Sequence, residues 1–103
     1  MLYRIVYPLT ERPTFEVGST IYDVVDCSER GLRYELNHQR IPEIGSSVAG
    51  VLHFPRGDSI RAEGKVLRAL RGNVALWLEP ALPFAQVMAE QRYLRRRGFL
   101  RPD

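Results

Sequence analysis

The sequence predicts a mainly β domain with one C-terminal α-helix, on three observations. Between residues 14 and 78, apolar and polar side chains alternate in short segments, which is the period of strands with one buried face. Turn-forming residues separate these segments at short intervals, as in an antiparallel barrel or sandwich. After Pro83 the apolar residues recur instead at helical spacing. A chain of 103 residues can bury one modest core, so we expect a single domain.

The first predicted strands form a hairpin. Gly18-Ser19 follows an alternating segment, and the glycine can adopt the positive φ that a two-residue type II′ turn requires. Residues 20–26 then form the next strand. After the polar segment at residues 28–31 the alternation resumes, with two sets of side chains on opposite faces. One set is Leu32, Tyr34 and Leu36, and the other is Arg33 and Glu35.

The second half of the β region contains one long loop and two tight turns. Residues 37–47 are polar and include proline and glycine, which predicts a surface loop. Two strands follow, on either side of the turn-forming segment at residues 55–58. Residues 71–73 then make a further hairpin into a last strand at residues 74–78.

A helix is predicted after the last strand. Pro83 suits the first helical turn, where its missing N–H has no intrahelical partner. Gly98 can end the helix, and the arginines at residues 95–97 are favoured in its last turn by the helix dipole. The apolar face at helical spacing contains Phe84, Val87, Met88 and Leu94.

Composition excludes several classes of protein. The single cysteine, Cys27, cannot form an intramolecular disulfide, and the two isolated histidines, His38 and His53, form no metal-ligand cluster. We find no signal peptide pattern and no apolar run long enough to span a membrane, so we expect a cytoplasmic protein without a membrane partner. A net charge of +3 is compatible with anionic partners.

Catalysis and nucleic-acid binding are both disfavoured. The chain has no acid/base pair at useful spacing, no activated nucleophile and no glycine-rich phosphate loop, and Cys27 is expected to be a small buried residue. The predicted strands lack the interleaved aromatic and basic residues of single-strand binders. Helix-end electrostatics already explain the C-terminal arginines.

The segment Asp26-Cys27-Ser28-Glu29-Arg30-Gly31 lies where one predicted strand ends and the next begins. A carboxylate there can accept hydrogen bonds from the N–H edge of a guanine, a small hydroxyl leaves room for a base, and glycine permits close backbone approach. The alternative interpretation is structural: an Asx-type turn in which Asp26 and Ser28 bond nearby backbone and Gly31 is present for its dihedral angles.

This segment resembles the Asp/Asn-x-Ser/Ala-x-x-Gly motif of the PilZ family. The family's Arg-x-x-x-Arg pair lies roughly twenty residues upstream, and Arg4 stands at about that distance from Asp26. The first arginine of the pair would precede Met1. A truncated chain, a start assigned too far downstream and a lost residue would each account for this.

The resemblance implies a six-stranded antiparallel PilZ-type β-barrel, with an N-terminal arm (1–12), the barrel (13–79) and a C-terminal helix (83–97). It also implies a bacterial cyclic di-GMP receptor, with Arg4, Asp26, Ser28 and Gly31 as ligand-binding residues, no catalytic or metal site, and an unidentified protein partner. Arg4 has a simpler alternative as a solvated residue on a mobile terminus.

A second function stays open beside the receptor hypothesis. A PilZ-like adaptor without a complete arginine pair would act through protein contacts alone. Its contact surface would be the helix around residues 84–94 or the strand that bears Trp77, because the alternation with Leu76 and Leu78 places one of the two sets away from the core.

Overall fold

The computed structural model describes residues 4–99, which form seven strands and one α-helix. The strands are β1 (Ile5–Val6), β2 (Thr14–Val17), β3 (Thr20–Cys27), β4 (Gly31–Glu35), β5 (Ser47–His53), β6 (Ser59–Leu70) and β7 (Asn73–Leu78). The helix α1 (Phe84–Arg96) follows β7, and a short 3₁₀ turn (Leu9–Glu11) lies between β1 and β2.

Strands β2 to β7 form a closed antiparallel barrel. The order in the sheet is β1-β3-β2-β5-β6-β7-β4, and the additional pairing of β3 with β4 closes the six-stranded ring. Closure leaves no free edge among these six strands, while β1 extends the sheet from β3. The predicted mainly β architecture, a six-stranded antiparallel barrel with a C-terminal helix, is therefore confirmed.

The barrel interior is filled by the alternating apolar residues that the sequence singled out. Leu32, Tyr34 and Leu36 point inward on and just after β4, as predicted. The largest fully buried apolar side chains are Phe15, Ile5, Leu32, Leu52, Leu76, Leu78, Leu94, Val24, Val66, Val74 and Val87. Cys27 belongs to the same core, which confirms its predicted burial.

The helix packs on the barrel through a face that differs from the predicted one. Val87 and Leu94 are buried as expected, but Phe84 is 54% exposed, so its assignment to the buried face was wrong. Phe84 is the first residue of α1, directly after Pro83, and lies beyond the contact with the core. The third fully buried side chain of the helix is Glu90, a carboxylate.

Two β-bulges turn charged residues to the outside of the barrel. In β3, Val24 pairs with Tyr34 but Asp26 pairs with Arg33, so Val25 is an extra residue. In β6, Val66 pairs with Leu76 but Arg68 pairs with Ala75. A bulge shifts the alternation by one residue and is a common means of re-aiming a side chain near a binding site. Asp26 and Arg68 thereby leave the inward face that Val24 and Val66 occupy.

The described part of the N-terminal arm is packed against the barrel. Ile5 and Val6 pair with Cys27 and Asp26, and the Tyr7 amide donates to the Val25 carbonyl at 3.0 Å. The side chains of Ile5 and Tyr7 are buried. This strand pairing places the predicted arginine, Arg4, beside the end of β3. Within residues 4–99, no helix is long and apolar enough to cross a bilayer.

Candidate functional site

The turn between β3 and β4 is held by hydrogen bonds between its first and last residues. The Ser28 amide donates to the Gly31 carbonyl at 2.8 Å, and the Gly31 amide donates to Ser28 Oγ at 3.0 Å. A Cβ on residue 31 would lie 3.1 Å from Ser28 Oγ, so glycine permits this close approach. Ser28 Oγ accepts one bond here and keeps its own O–H as a donor.

The same turn is anchored to the last residue of β7 and to the chain that follows it. The Leu78 amide donates to the Arg30 carbonyl at 2.7 Å, and the Leu82 amide donates to the Glu29 carbonyl at 2.7 Å. The Arg30 side chain donates through Nη1 to the Leu78 carbonyl at 3.0 Å. These bonds fix the turn on both sides and hold it in one conformation.

Asp26 lies between two arginines. Its carboxylate is almost fully buried, Arg4 Nη2 donates to its Oδ2 at 2.9 Å, and Arg33 Nη2 makes a still shorter contact with the same oxygen. Both contacts involve Oδ2, which leaves Oδ1 to accept from a ligand. Asp26 thus differs from the turn residue of the structural alternative, since its partners are two cationic side chains and not nearby backbone.

A cavity of about 240 Å³ opens on the outer surface of the barrel beside this ion pair. All four residues that the motif and the arm predicted, Arg4, Asp26, Ser28 and Gly31, line it. The other lining residues come from the β3–β4 turn and from strands β4, β6 and β7: Arg30, Leu32, Arg33, Leu67, Arg68, Ala75, Leu76 and Trp77. The structure therefore brings the four predicted residues together, although Arg4 and Gly31 are 27 positions apart in the sequence.

Trp77 forms the aromatic wall of the cavity. It pairs with Gly31 across β4 and β7, so no side chain from residue 31 covers it, and Trp77 as a whole is 41% exposed. The Arg30 guanidinium lies 5.6 Å from the ring centroid, within the range of a cation–π contact. An exposed indole beside cationic groups is suited to stack on a planar ligand.

These groups define the chemistry that the cavity offers. Its lining includes a carboxylate that accepts from N–H donors, an indole ring, and arginines that donate to carbonyl or phosphate oxygens. Together they suit a planar, anionic ligand with a donor edge. A guanine nucleotide has that combination of groups.

The arm is fastened to the helix behind this site. The Tyr7 hydroxyl donates to Glu90 Oε1 at 2.9 Å and lies 3.3 Å from Cys27 Sγ. Burial raises the pKa of the Cys27 thiol to about 12, and burial likewise raises the pKa of Tyr7. Burial also raises the pKa of Glu90, against the effect of the hydrogen bonds it accepts from Arg56 and Tyr7. Cys27 is consequently a buried thiol and not a nucleophile at neutral pH.

Further polar contacts fix the middle and the C-terminal end of the helix. Arg56, in the β5–β6 turn, donates through Nε to Glu90 Oε2 at 2.8 Å. Near the C-terminal end, the Tyr93 hydroxyl donates to Glu11 Oε1 at 2.6 Å, and Arg97 Nη2 lies 3.4 Å from Glu11 Oε2. The helix is therefore linked to the arm at two positions.

Neither histidine joins the site. His38 lies in the β4–β5 loop with φ +67°, and the ring of His53 contacts Ser59 and Glu16 on the neighbouring strands. In the part of the chain that the structure describes, no cluster of His, Cys, Asp or Glu could hold a metal ion.

Four further residues of this cavity were not predicted from the sequence: Arg30, Arg33, Arg68 and Trp77. Arg30 lies inside the motif at a variable position, and the outward parity of Arg33 was recognised without a role. Arg68 could not be placed, because strand alternation puts it inside the barrel unless the bulge is known.

No family model, curated protein or solved structure matches the chain. The resemblance to the PilZ family therefore rests on the motif, on its position between two strands and on the barrel with its helix.

Proposed function

We propose that this protein is a PilZ-type receptor for cyclic di-GMP. The observation that carries the proposal is that Arg4, Ser28, Gly31 and the buried Asp26 line one cavity. Arg4 and the motif residues are far apart in the sequence and line the same cavity. The barrel and the helix also agree with the architecture that the resemblance implies.

The proposed binding mode assigns one guanine to the cavity. Its N–H edge donates to Asp26 Oδ1, while Arg4 donates to guanine or phosphate oxygens with the bidentate geometry of a guanidinium. Ser28 donates its hydroxyl hydrogen, and Trp77 stacks on the base. A volume of about 240 Å³ is below the roughly 300–1,000 Å³ of sites that enclose a whole drug-sized ligand, so the cavity suits one base better than the complete dinucleotide.

Binding would signal through the arm and no bond would be broken. Arg4 must exchange part of its contact with Asp26 for contacts with the ligand, and Arg4 is followed directly by β1. The arm is in turn bonded to the helix through Tyr7 and Glu90. A shift of the arm would thus alter the surface around α1, where a partner protein could detect it.

Calorimetry with cyclic di-GMP tests this function. We expect micromolar binding by the wild-type chain and loss of binding in Arg4→Ala and Asp26→Asn. Removing charge-assisted hydrogen bonds of about 1.5–3 kcal/mol each weakens binding by roughly ten- to a hundred-fold. Asp23→Asn is the matched control, because Asp23 lies on the same strand and does not line the cavity.

A second chain, extended to place an arginine four residues before Arg4, distinguishes a missing arginine from a wrong function. If only the extended chain binds, the proposed site is correct and the first arginine is essential for binding. If neither chain binds while both unfold at the same denaturant concentration, the receptor function is wrong.

The second candidate is a PilZ-like adaptor that needs no ligand. The observation in its favour is that Arg4 and Arg33 already satisfy the charge of Asp26, so these residues can serve the fold by themselves. Phe84, exposed at the start of α1, would then belong to the contact surface. Retained partner binding by the Asp26→Asn variant, with no effect of cyclic di-GMP, would favour the adaptor.

A further inference from the structure

The outer face of the barrel carries a second cavity next to the first. It measures about 260 Å³ and is lined by Arg33, Arg68, Leu70, Arg71, Asn73 and Ala75. Arg33, Arg68 and Ala75 line both cavities, so the two form one continuous groove across β4, β7 and β6.

The arrangement of this groove follows from strand pairing. Ala75 pairs with Arg33 on one side and with Arg68 on the other, so a small residue lies between two arginines. Adjacent strands are about 4.8 Å apart, which separates the two arginine backbones by roughly 10 Å. The alanine methyl leaves a shallow floor between the two guanidinium groups.

The β6 bulge is the feature that places Arg68 there. Ala62 and Val66 are buried in the core, and regular alternation would turn Arg68 inward after them. The extra residue in β6 reverses this and gives Arg68 the outward position opposite Ala75. Leu67, the extra residue, becomes exposed on the surface.

The groove is strongly cationic. Arg4, Arg30, Arg33, Arg68 and Arg71 line its two cavities, and Asp26 is the one carboxylate among their lining residues. Arg4 and Arg33 pair with Asp26, whereas Arg68 and Arg71 form no ion pair with any carboxylate of residues 4–99. The second cavity has three arginines and no carboxylate among its lining residues, so it is cationic throughout.

We propose that Arg33, Arg68 and Arg71 form a phosphodiester subsite for the second half of the dinucleotide. This inference rests on the proposed function. A ligand with one guanine in the first cavity must continue beyond it, and the groove leads from there onto arginines whose guanidinium groups match phosphate geometry. The subsite supplies cations from the barrel for contacts that the family resemblance assigns to the arm.

The test compares one double variant and one single variant with the wild-type chain, by calorimetry with cyclic di-GMP. Arg68→Gln/Arg71→Gln removes two arginines of the second cavity that form no ion pair within residues 4–99, and Arg61→Gln is the control, an exposed arginine on the same strand as Arg68 and outside both cavities. We expect the double variant to bind about tenfold or more weakly, and the control within about twofold of wild type.

Ionic strength provides a second measurement. From about 0.01 to 0.15 M salt, the screening length falls from roughly 30 to 8 Å, so a charge-dependent subsite loses affinity over this range. We expect the double variant to show a smaller loss than wild type, and Arg61→Gln to show the same loss. Equal salt dependence in all three would overturn the subsite.

The outcomes separate the inference from the function on which it rests. If wild type binds, Asp26→Asn does not, and the double variant binds like Arg61→Gln, then the subsite is wrong and the receptor function stands. If neither the wild-type chain nor the chain extended by an arginine four residues before Arg4 binds, both are wrong. If a thymine oligonucleotide displaces cyclic di-GMP at equal phosphate concentration, the groove is a general nucleic-acid surface and the subsite is wrong.

Discussion

Asp26 and Ser28 belong to one motif but have different roles in the fold. Ser28 acts as a turn residue, because its hydroxyl and amide both bond to Gly31. Asp26 follows the β3 bulge, which turns its side chain to the outer face of the barrel. There it contacts Arg4 from the arm and Arg33 from β4. A turn could be built without a buried, doubly paired carboxylate. Asp26 is therefore the residue of the motif that most favours a ligand.

Tyr7 joins the arm to the helix through one hydroxyl group, and its removal tests the strength of that link. Tyr7→Phe keeps the buried ring but leaves Glu90 Oε1 without its donor. We expect the free energy of unfolding to fall by about 1–3 kcal/mol, the cost of an unsatisfied buried acceptor. Urea unfolding measures this change.

Tyr22→Phe is the control for that measurement. The Tyr22 ring is partly buried against Tyr34, and its hydroxyl makes no hydrogen bond to another residue within 4–99. We expect a change within about 0.5 kcal/mol. Equal losses in the two variants would mean that the Tyr7–Glu90 bond does not stabilise the fold.

Strands β5 and β6 each depend on a glycine at a point where another strand crosses closely. A Cβ on Gly64 would lie 2.2 Å from the Trp77 carbonyl oxygen, and a Cβ on Gly50 would lie 2.2 Å from the Glu16 carbonyl oxygen. Both obstacles are backbone atoms, which cannot turn aside as a side chain could. Glycines of this kind allow strands to bend at the corners of a barrel.

Gly64→Ala is therefore expected to lower the free energy of unfolding by about 3 kcal/mol. Glu63→Ala, at the neighbouring exposed position, should change it by no more than about 0.5 kcal/mol. Chemical unfolding of both variants measures the difference. A Gly64→Ala variant as stable as Glu63→Ala would show that β6 and β7 can separate at this corner without cost.

Elements specified by short-range patterns were predictable from the sequence, and elements specified by pairing across the barrel were not. The hairpin at Gly18 and the helix after Pro83 lie where local turn and capping chemistry placed them. The strand β1, in contrast, is two residues long and exists because β3 offers it a partner. No periodicity is detectable in so short a segment.

The same distinction applies to the candidate site. Asp26, Ser28 and Gly31 are adjacent in sequence and could be recognised as a motif. Arg68 and Trp77 enter the cavity through register, and the register of β6 changes at a bulge that the sequence does not mark. Glu90 was missed because a carboxylate on a helix is normally exposed, and its burial depends on Tyr7 and Arg56 from distant segments.

At the scale of the whole molecule, the arm, the barrel and the helix share one core. Ile5 from the arm and Leu94 from the helix belong to the same buried cluster as the barrel residues. The helix has 13 residues, which is too short to be stable in isolation. We therefore expect the three parts to unfold as one cooperative unit.

Two optical probes report on different parts of that unit. Trp77, the single tryptophan, lies on β7 at the cavity, and far-ultraviolet circular dichroism reports on α1. In urea, the two signals should change with the same midpoint and slope, and Tyr7→Phe should lower both midpoints together. Loss of the helical signal before the fluorescence change would mean that α1 detaches on its own. The bond from Tyr7 to Glu90 could then not carry a displacement of the arm to the helix surface, because the helix would move independently of both.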